Sequence, residues 1–387
     1  MEWSDFLDSV TICDEINVGG RSYADVMNIY REGERFPSLE DVNIALVGIG
    51  ESRAALNNKN CAKAPDEVRK YFYRLFPNND DVKIVDMGNI KLGFELADTY
   101  VAATAVISEL LNRNIVPIII GGSHDLAYAN YLAYETLQQV INIVDVDPVF
   151  DIGNSEDDED HRSYLTKIIL HQPNYLFNLT NIGYQSYLLD QQKLKLFNNL
   201  FFDAYRLGVL TADIEEVEPI VRNVDMLSVD ISAVRQSDAP ANENALPNGF
   251  YGEQLCRIAR YAGMSDRLTS FGIYEINPDF DVRGQTAHLA AQIIWYFIDG
   301  YYNRKDDFPS DDVNYLKYTV YSKNVSGDLV FYKSKKSDRW WMEIPCSEQL
   351  RERYLHQHMA PCSYKDYLTA CQNDIPERLY RIYEKLM

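Results

Sequence analysis

From about residue 42 to residue 302 the chain alternates short, continuously apolar runs with longer stretches in which apolar positions recur every three to four residues. The short runs, rich in Val and Ile, predict strands at Val42 to Gly48, Val82 to Met87, Val116 to Gly121, Val140 to Val144, Tyr175 to Ile182, Met226 to Val229 and Leu268 to Tyr274. The longer stretches predict helices at Ala97 to Asn112, Leu126 to Gln138, Tyr251 to Ala262 and Thr286 to Tyr301. Strands that read as unbroken Val/Ile runs are buried on both faces, and their alternation with helices is the pattern of a parallel sheet covered on both sides. The expected fold is therefore α/β, three layers with a mainly parallel sheet. Two flanks break the pattern: a lead-in over residues 1–40, and an extension over residues 306–387 that follows the linker-like stretch NRKDDFPSDD. The extension holds an aromatic hairpin candidate from Leu329 to Ile344 and a closing helical segment from Ser363 to Leu386.

Composition narrows the function classes. With 46% hydrophobic residues the chain has ample core material, which excludes disorder and fibrous classes. No apolar run approaches the roughly 18–20 residues of a membrane span, and the first residues lack the basic-then-apolar order of a secretory leader, so a cytoplasmic location is expected. Six cysteines, none in a CxxC pair, point to reduced thiols. Acidic residues outnumber basic ones 58 to 37, a net charge of -21, which argues against nucleic-acid or anionic-membrane partners. Metal ions, cationic substrates and plain solubility all accommodate that charge.

Open parallel sheets bind ligands beyond the carboxyl ends of their strands. Four predicted strands end in polar residues: Gly121-Gly122-Ser123-His124-Asp125, Asp145-Val146-Asp147-Pro148-Val149-Phe150-Asp151, Asp230-Ile231-Ser232 and Glu275-Ile276-Asn277-Pro278. Each has a structural reading: Ser123 or Asp125 as a helix cap, Asp151 with Gly153 as a turn, His124 as a core histidine. Together they bring one imidazole and several carboxylates to one rim, a mixture that suits Mn²⁺ and similar cations.

These segments resemble the arginase, agmatinase and formimidoylglutamase superfamily. GGSHD is similar to its GGDHS motif, DVDPVFD stands where it has DxHxD, SVDIS resembles SxDxD, and Glu275-Ile276-Asn277-Pro278 with Asp281, Thr286 and Ala287 matches ExNPxxDxxxxTA. The segments Asp230 to Gly252 and Gly183-Tyr184-Gln185 look most like the formimidoylglutamase group. The resemblance implies an arginase-like fold, hydrolysis of a C–N bond in a formimino or guanidino compound with N-formimidoyl-L-glutamate as the first choice, a manganese site, and homo-oligomers. It places His124, Asp145, Asp151 and Asp230 around a first ion, with Asp147 in the histidine position of the second motif, and it gives Glu275 the role of orienting the substrate's amidino nitrogens.

Two departures affect the second ion that the family binds. Ser232 stands at a lost-ligand position, and Arg235 replaces an aspartate, bringing a cation able to take part of that ion's volume. One Mn²⁺ rather than two is the expectation. The alternative is a non-catalytic arginase-fold protein that binds a ligand or partner. His161 and His171, after the second motif, read as loop or surface histidines, although the family places an acid/base histidine in that region in some members.

Overall fold

The computed structural model describes residues 2–10, 20–78, 81–153, 160–309, 313–321, 328–345 and 358–386. Most of the acidic run that begins at Ser155, the triplet Asn324-Val325-Ser326, His356, Cys13 and Cys346 lie outside them.

Among the described residues ten strands form the central sheet: β1 (Leu7–Asp8), β2 (Asn28–Ile29), β3 (Ile44–Ile49), β4 (Ile84–Ile90), β5 (Val116–Gly121), β6 (Ile141–Val146), β7 (Leu176–Tyr184), β8 (Asp203–Arg206), β9 (Met226–Asp230) and β10 (Ser270–Tyr274). Their order is β1-β4-β3-β5-β10-β9-β6-β7-β8, with β2 beside β4. Only β1 runs antiparallel, and every other pairing in this sheet is parallel. All seven strands predicted from the Val/Ile runs are present. The lead-in is not separate from this sheet, because β1 and β2 both pair with β4.

Every residue of β3, β5 and β6 is buried, as parallel strands covered on both faces must be. One face carries α1 (Ala64–Phe72), α6 (Gly252–Gly263) and α7 (Gln285–Tyr302), whose Val68, Phe72, Leu255, Ala290 and Phe297 pack on Leu46, Ile118 and Leu227. The other carries α2 (Leu96–Asn112), α3 (Leu126–Thr136), α4 (Tyr164–Leu170) and α5 (Gln191–Asn199), packed on Val47, Ile119, Ile143 and Met226. No helix among the described residues is long and apolar enough to cross a membrane.

The extension forms a second, antiparallel sheet of β11 (Tyr315–Tyr321), β12 (Asp328–Ser334), β13 (Trp340–Glu343) and β14 (Met359–Cys362), followed by α8 (Tyr364–Cys371) and α9 (Glu377–Leu386). The hairpin candidate is its β12–β13 pair. The stretch read as a linker is anchored at several residues: Arg304 donates to the carbonyls of Gly263 and Leu268 at 3.0 and 2.7 Å, and buried Asp307 accepts Arg339 Nη2 at 2.5 Å. On the far side, Arg381 and Lys385 of α9 reach Asp203 on the edge strand β8 at 3.3 and 2.6 Å.

Candidate metal centre

The carboxyl ends of β5, β6, β9 and β10 are neighbours in the sheet order, so the polar residues that follow them meet at one place. The turn after β5 is forced tight by glycine. A Cβ on Gly122 would lie 1.9 Å from the carbonyl oxygen of Glu51, so only glycine passes there before the chain delivers His124 into the interior. Asp147 follows the end of β6, Asp230 closes β9 and Glu275 follows β10.

His124 is fully buried and its Nδ1 faces three carboxylates: Asp147 Oδ2 at 3.4 Å, Asp151 Oδ2 at 3.4 Å and Asp230 Oδ2 at 3.7 Å. Donor atoms of His124, Asp147 and Asp151 lie within 4.8 Å of one another, and His124 Nδ1 and Asp147 Oδ2 make no well-formed hydrogen bond. Burial pushes the carboxyls of Asp145 (to about 7), Asp147 and Asp230 upward, and the charge of Asp151 adds to each. Burial alone would disfavour a charged His124, but Asp147 and Asp151 at hydrogen-bonding range, with Asp145 and Asp230 nearby, raise it well above its ordinary value. A buried set this acidic is relieved either by taking up protons or by a bound cation. The orphaned nitrogen and oxygen facing each other, in a donor set of one imidazole and three carboxylates, fit a Mn²⁺-like ion.

Asp145 does not share that position. Strand alternation puts it on the same face as Asp147 but two residues deeper, and it meets the opposite edge of the imidazole: Oδ1 is 3.5 Å from His124 Nε2 and accepts the Tyr164 hydroxyl at 2.9 Å. The structure thus sets Asp145, expected at the first ion, beside Nε2, and sets Asp147 beside Nδ1. Asp147 and Asp151 stand four residues apart, the interval between the outer aspartates of DxHxD, which puts Val149 rather than Asp147 at the histidine position. Ser232 donates its backbone N–H to Asp230 Oδ1 at 2.7 Å and adds no carboxylate. Arg235, expected as a cation beside the second-ion position, is engaged by other partners. Its guanidinium stacks 3.8 Å over the Tyr251 ring and its Nε lies 2.9 Å from Asp238, which neutralises it outside the cluster.

Glu275 is held on all sides. Its carboxylate accepts the His124 backbone N–H at 2.9 Å and Asn58 Nδ2 at 2.7 Å, and its carbonyl accepts Asn58 at 3.0 Å and Asn242 at 2.9 Å. These bonds support a left-handed backbone, φ 66°, which costs a non-glycine residue about 1–3 kcal/mol, a sum that a few net hydrogen bonds of about 1 kcal/mol each offset. Burial, with Asp230 adding to it, pushes the carboxyl to about 7.

His161, read from sequence as a loop histidine, is buried, with Nδ1 3.2 Å from the Ala54 carbonyl oxygen. Burial works against its charge, but Glu275, Asp151 and Asp160 outweigh that and raise it above its ordinary value. Asp151, His161, Asp230 and Ser232 line one cavity of about 560 Å³ whose wall also carries Arg162 and Lys193. Asn58 and His161 are the residues sequence reasoning missed. His171 is spent elsewhere, on Glu135 and Tyr128.

The profile of the arginase family matches residues 42–299. The formimidoylglutamase of Staphylococcus haemolyticus (strain JCSC1435) is 25% identical over 282 residues, covering 68% of this chain and 90% of its own length. That of Staphylococcus aureus (strain JH9) is 24% identical over 266 residues, covering 66% and 85%. Among solved structures, formimidoylglutamase from Bacillus subtilis subsp. subtilis str. 168 superposes with a TM-score of 0.67 at 17% identity, over 78% of this chain and 98% of that one. Trypanosoma cruzi formiminoglutamase with Mn²⁺ gives 0.65 at 16%, over 73% and 99%. At these identities the structures establish a shared fold.

Proposed function

The chain belongs to the arginase family, and on that premise we propose that it hydrolyses a C–N bond of a formimino or guanidino compound, with N-formimidoyl-L-glutamate as substrate, at a single-ion centre held by His124, Asp147, Asp151 and Asp230. The observation that carries this reading is the convergence of three carboxylates on the unpartnered Nδ1 of one buried imidazole. An ion held by these residues would supply Lewis acidity and offset anionic charge in the transition state.

The protein's own residues supply the rest. Glu275, beside the cluster and charged once deprotonated, accepts hydrogen bonds from the planar amidino nitrogens of the substrate. His161, tied through Nδ1 to Ala54, keeps Nε2 for proton exchange with the leaving nitrogen. Water adds to the formimino carbon, the bond to the glutamate nitrogen breaks, and L-glutamate and formamide leave. Arg162 and Lys193 support a substrate with carboxylates, since both line the cavity and Arg162 Nη2 there meets a neutral amide oxygen, that of Asn244 at 3.4 Å. A formimino head then faces the acidic floor and the carboxylates face the two cations.

Ser232 and Val149, standing where the family pattern has an aspartate and a histidine, favour the second reading, a non-catalytic binding protein. Metal analysis after purification with Mn²⁺, paired with a formamide-release assay, separates the two. About one ion per chain and release that His124→Asn abolishes are expected. A loaded protein that releases nothing from any formimino or guanidino compound supports the binding role instead.

A further inference from the structure

We propose that Asp145, Ser228 and Tyr164 form a positioning set for His124 that fixes its tautomer and thereby sets the metal affinity of the centre. The proposal rests on the reading that an ion binds at His124 Nδ1, and it concerns a buried carboxylate for which that reading has no ligand role.

The set is built into the sheet. Asn181, Asp145, Ser228 and Gly272 are register partners on β7, β6, β9 and β10, so their side-chain positions form one row across four strands. The row lies two residues, roughly 7 Å, behind the rim where Asp147 and Asp230 stand. Gly272 completes the fit, since a Cβ there would lie 2.2 Å from the hydroxyl of Tyr274. The imidazole of His124 sits between the rings of Tyr164 and Tyr274, at centroid distances of 4.6 and 5.2 Å.

Around Nε2 stand Ser228 Oγ at 2.7 Å, Tyr164 Oη at 3.2 Å and Asp145 Oδ1 at 3.5 Å. The Tyr164 hydroxyl donates its proton to Asp145 at 2.9 Å, which turns an oxygen lone pair toward the ring. Acceptors therefore surround Nε2, the proton belongs there, and Nδ1 keeps its lone pair for the ion. An imidazole ligand oriented by a carboxylate or hydroxyl on its far nitrogen binds metal more tightly than an unsupported one.

A buried carboxylate is costly unless hydrogen bonds or a positive charge offset it. Asn181 donates only weakly to Asp145, at 3.5 Å, while the same amide reaches the carbonyls of Asp147 and Val149 at 3.2 and 3.1 Å. No arginine or lysine pairs with Asp145 among the described residues. In the loaded protein the nearest positive charge would be the ion, reached through the neutral imidazole that donates toward Asp145.

Titration of the full-length protein with Mn²⁺ by calorimetry tests this, using Asp145→Asn and Tyr164→Phe with the melting temperature of each metal-free variant alongside. Asp145→Asn should raise the Mn²⁺ dissociation constant about 10- to 100-fold at unchanged stoichiometry, and Tyr164→Phe should shift it the same way by less. A merely structural role would instead lower the metal-free melting temperature and leave affinity alone. Dissociation constants within about twofold of wild type overturn the proposal, as does a fall in the number of ions bound, which would make Asp145 a ligand. If Asp145→Asn does not fold, Tyr164→Phe, which removes one hydroxyl, carries the same test. Wild-type protein that takes up no Mn²⁺ overturns the metal-centre reading and this proposal with it.

Discussion

One carboxylate oxygen of Glu275 accepts the backbone N–H of His124 at 2.9 Å, across 151 positions of sequence. The two residues follow the parallel neighbours β10 and β5, so the imidazole proposed to bind the ion and the carboxylate proposed to face the substrate are tied by a direct hydrogen bond. Disturbing either should register at both.

Glu275 and Asp145 are each pushed to about 7, chiefly by burial, from ordinary values of 4.5 and 3.8. In metal-free protein they stay protonated over a range where the unfolded chain ionises. Their contribution to stability is thus present below the unfolded values and lost as pH rises through about 7. The melting temperature of metal-free protein should fall between about pH 5 and pH 7.5, and Glu275→Gln should flatten that fall. Thermal melts across the range, with chelator, check both; a Glu275→Gln curve parallel to wild type contradicts the assignment.

His161→Asn should lower kcat by about 10²- to 10⁴-fold, the range for loss of a general acid or base, without reducing Mn²⁺ binding. Steady-state rates and metal analysis on the same preparation decide it, and a variant with normal kcat returns His161 to a packing role.

Val149→His combined with Ser232→Asp places both family-type ligands beside Asp147 and Asp230. Metal content should rise from about one ion toward two. Asp147→His with Ser232→Asp, the pair that the initial register would select, should instead lose metal, because it removes a carboxylate 3.4 Å from His124 Nδ1. Inductively coupled plasma analysis of both double variants distinguishes the two registers.

Arg162→Ala and Lys193→Ala should each raise KM for N-formimidoyl-L-glutamate about 10-fold or more, with a smaller change in kcat, as expected for charge-assisted bonds away from the reacting atoms. The same variants should leave KM for a formimino compound without carboxylates nearly unchanged. Equal effects on both substrates would remove these cations from substrate binding.

The layers of the fold were legible in the sequence because buried parallel strands leave continuous apolar runs, and all seven predicted strands formed. The edge strand β8 was not, since Asp203-Ala204-Tyr205-Arg206 is short and polar. At the centre, GGSHD and the carboxylates after β6, β9 and β10 identified the rim. The sequence Asp145-Val146-Asp147 left one ambiguity: alternation gives both aspartates the same face, and a shift of two residues decides which one stands beside His124 Nδ1. The pairing of Arg235 with Asp238 was not legible, because the partner lies three residues on in a loop with no periodic signal. His161 and Asn58 owe their burial to chain returns over the sheet rim, which local wording does not encode.

The closing helix has a consequence beyond its own packing. A border strand such as β8 exposes backbone donors and acceptors that can recruit a strand from another molecule. Arg381 and Lys385, drawn onto Asp203 by α9, station two charged side chains beside that border. A chain ending before residue 306 would lose this guard, leaving an open seam along which copies could zip together.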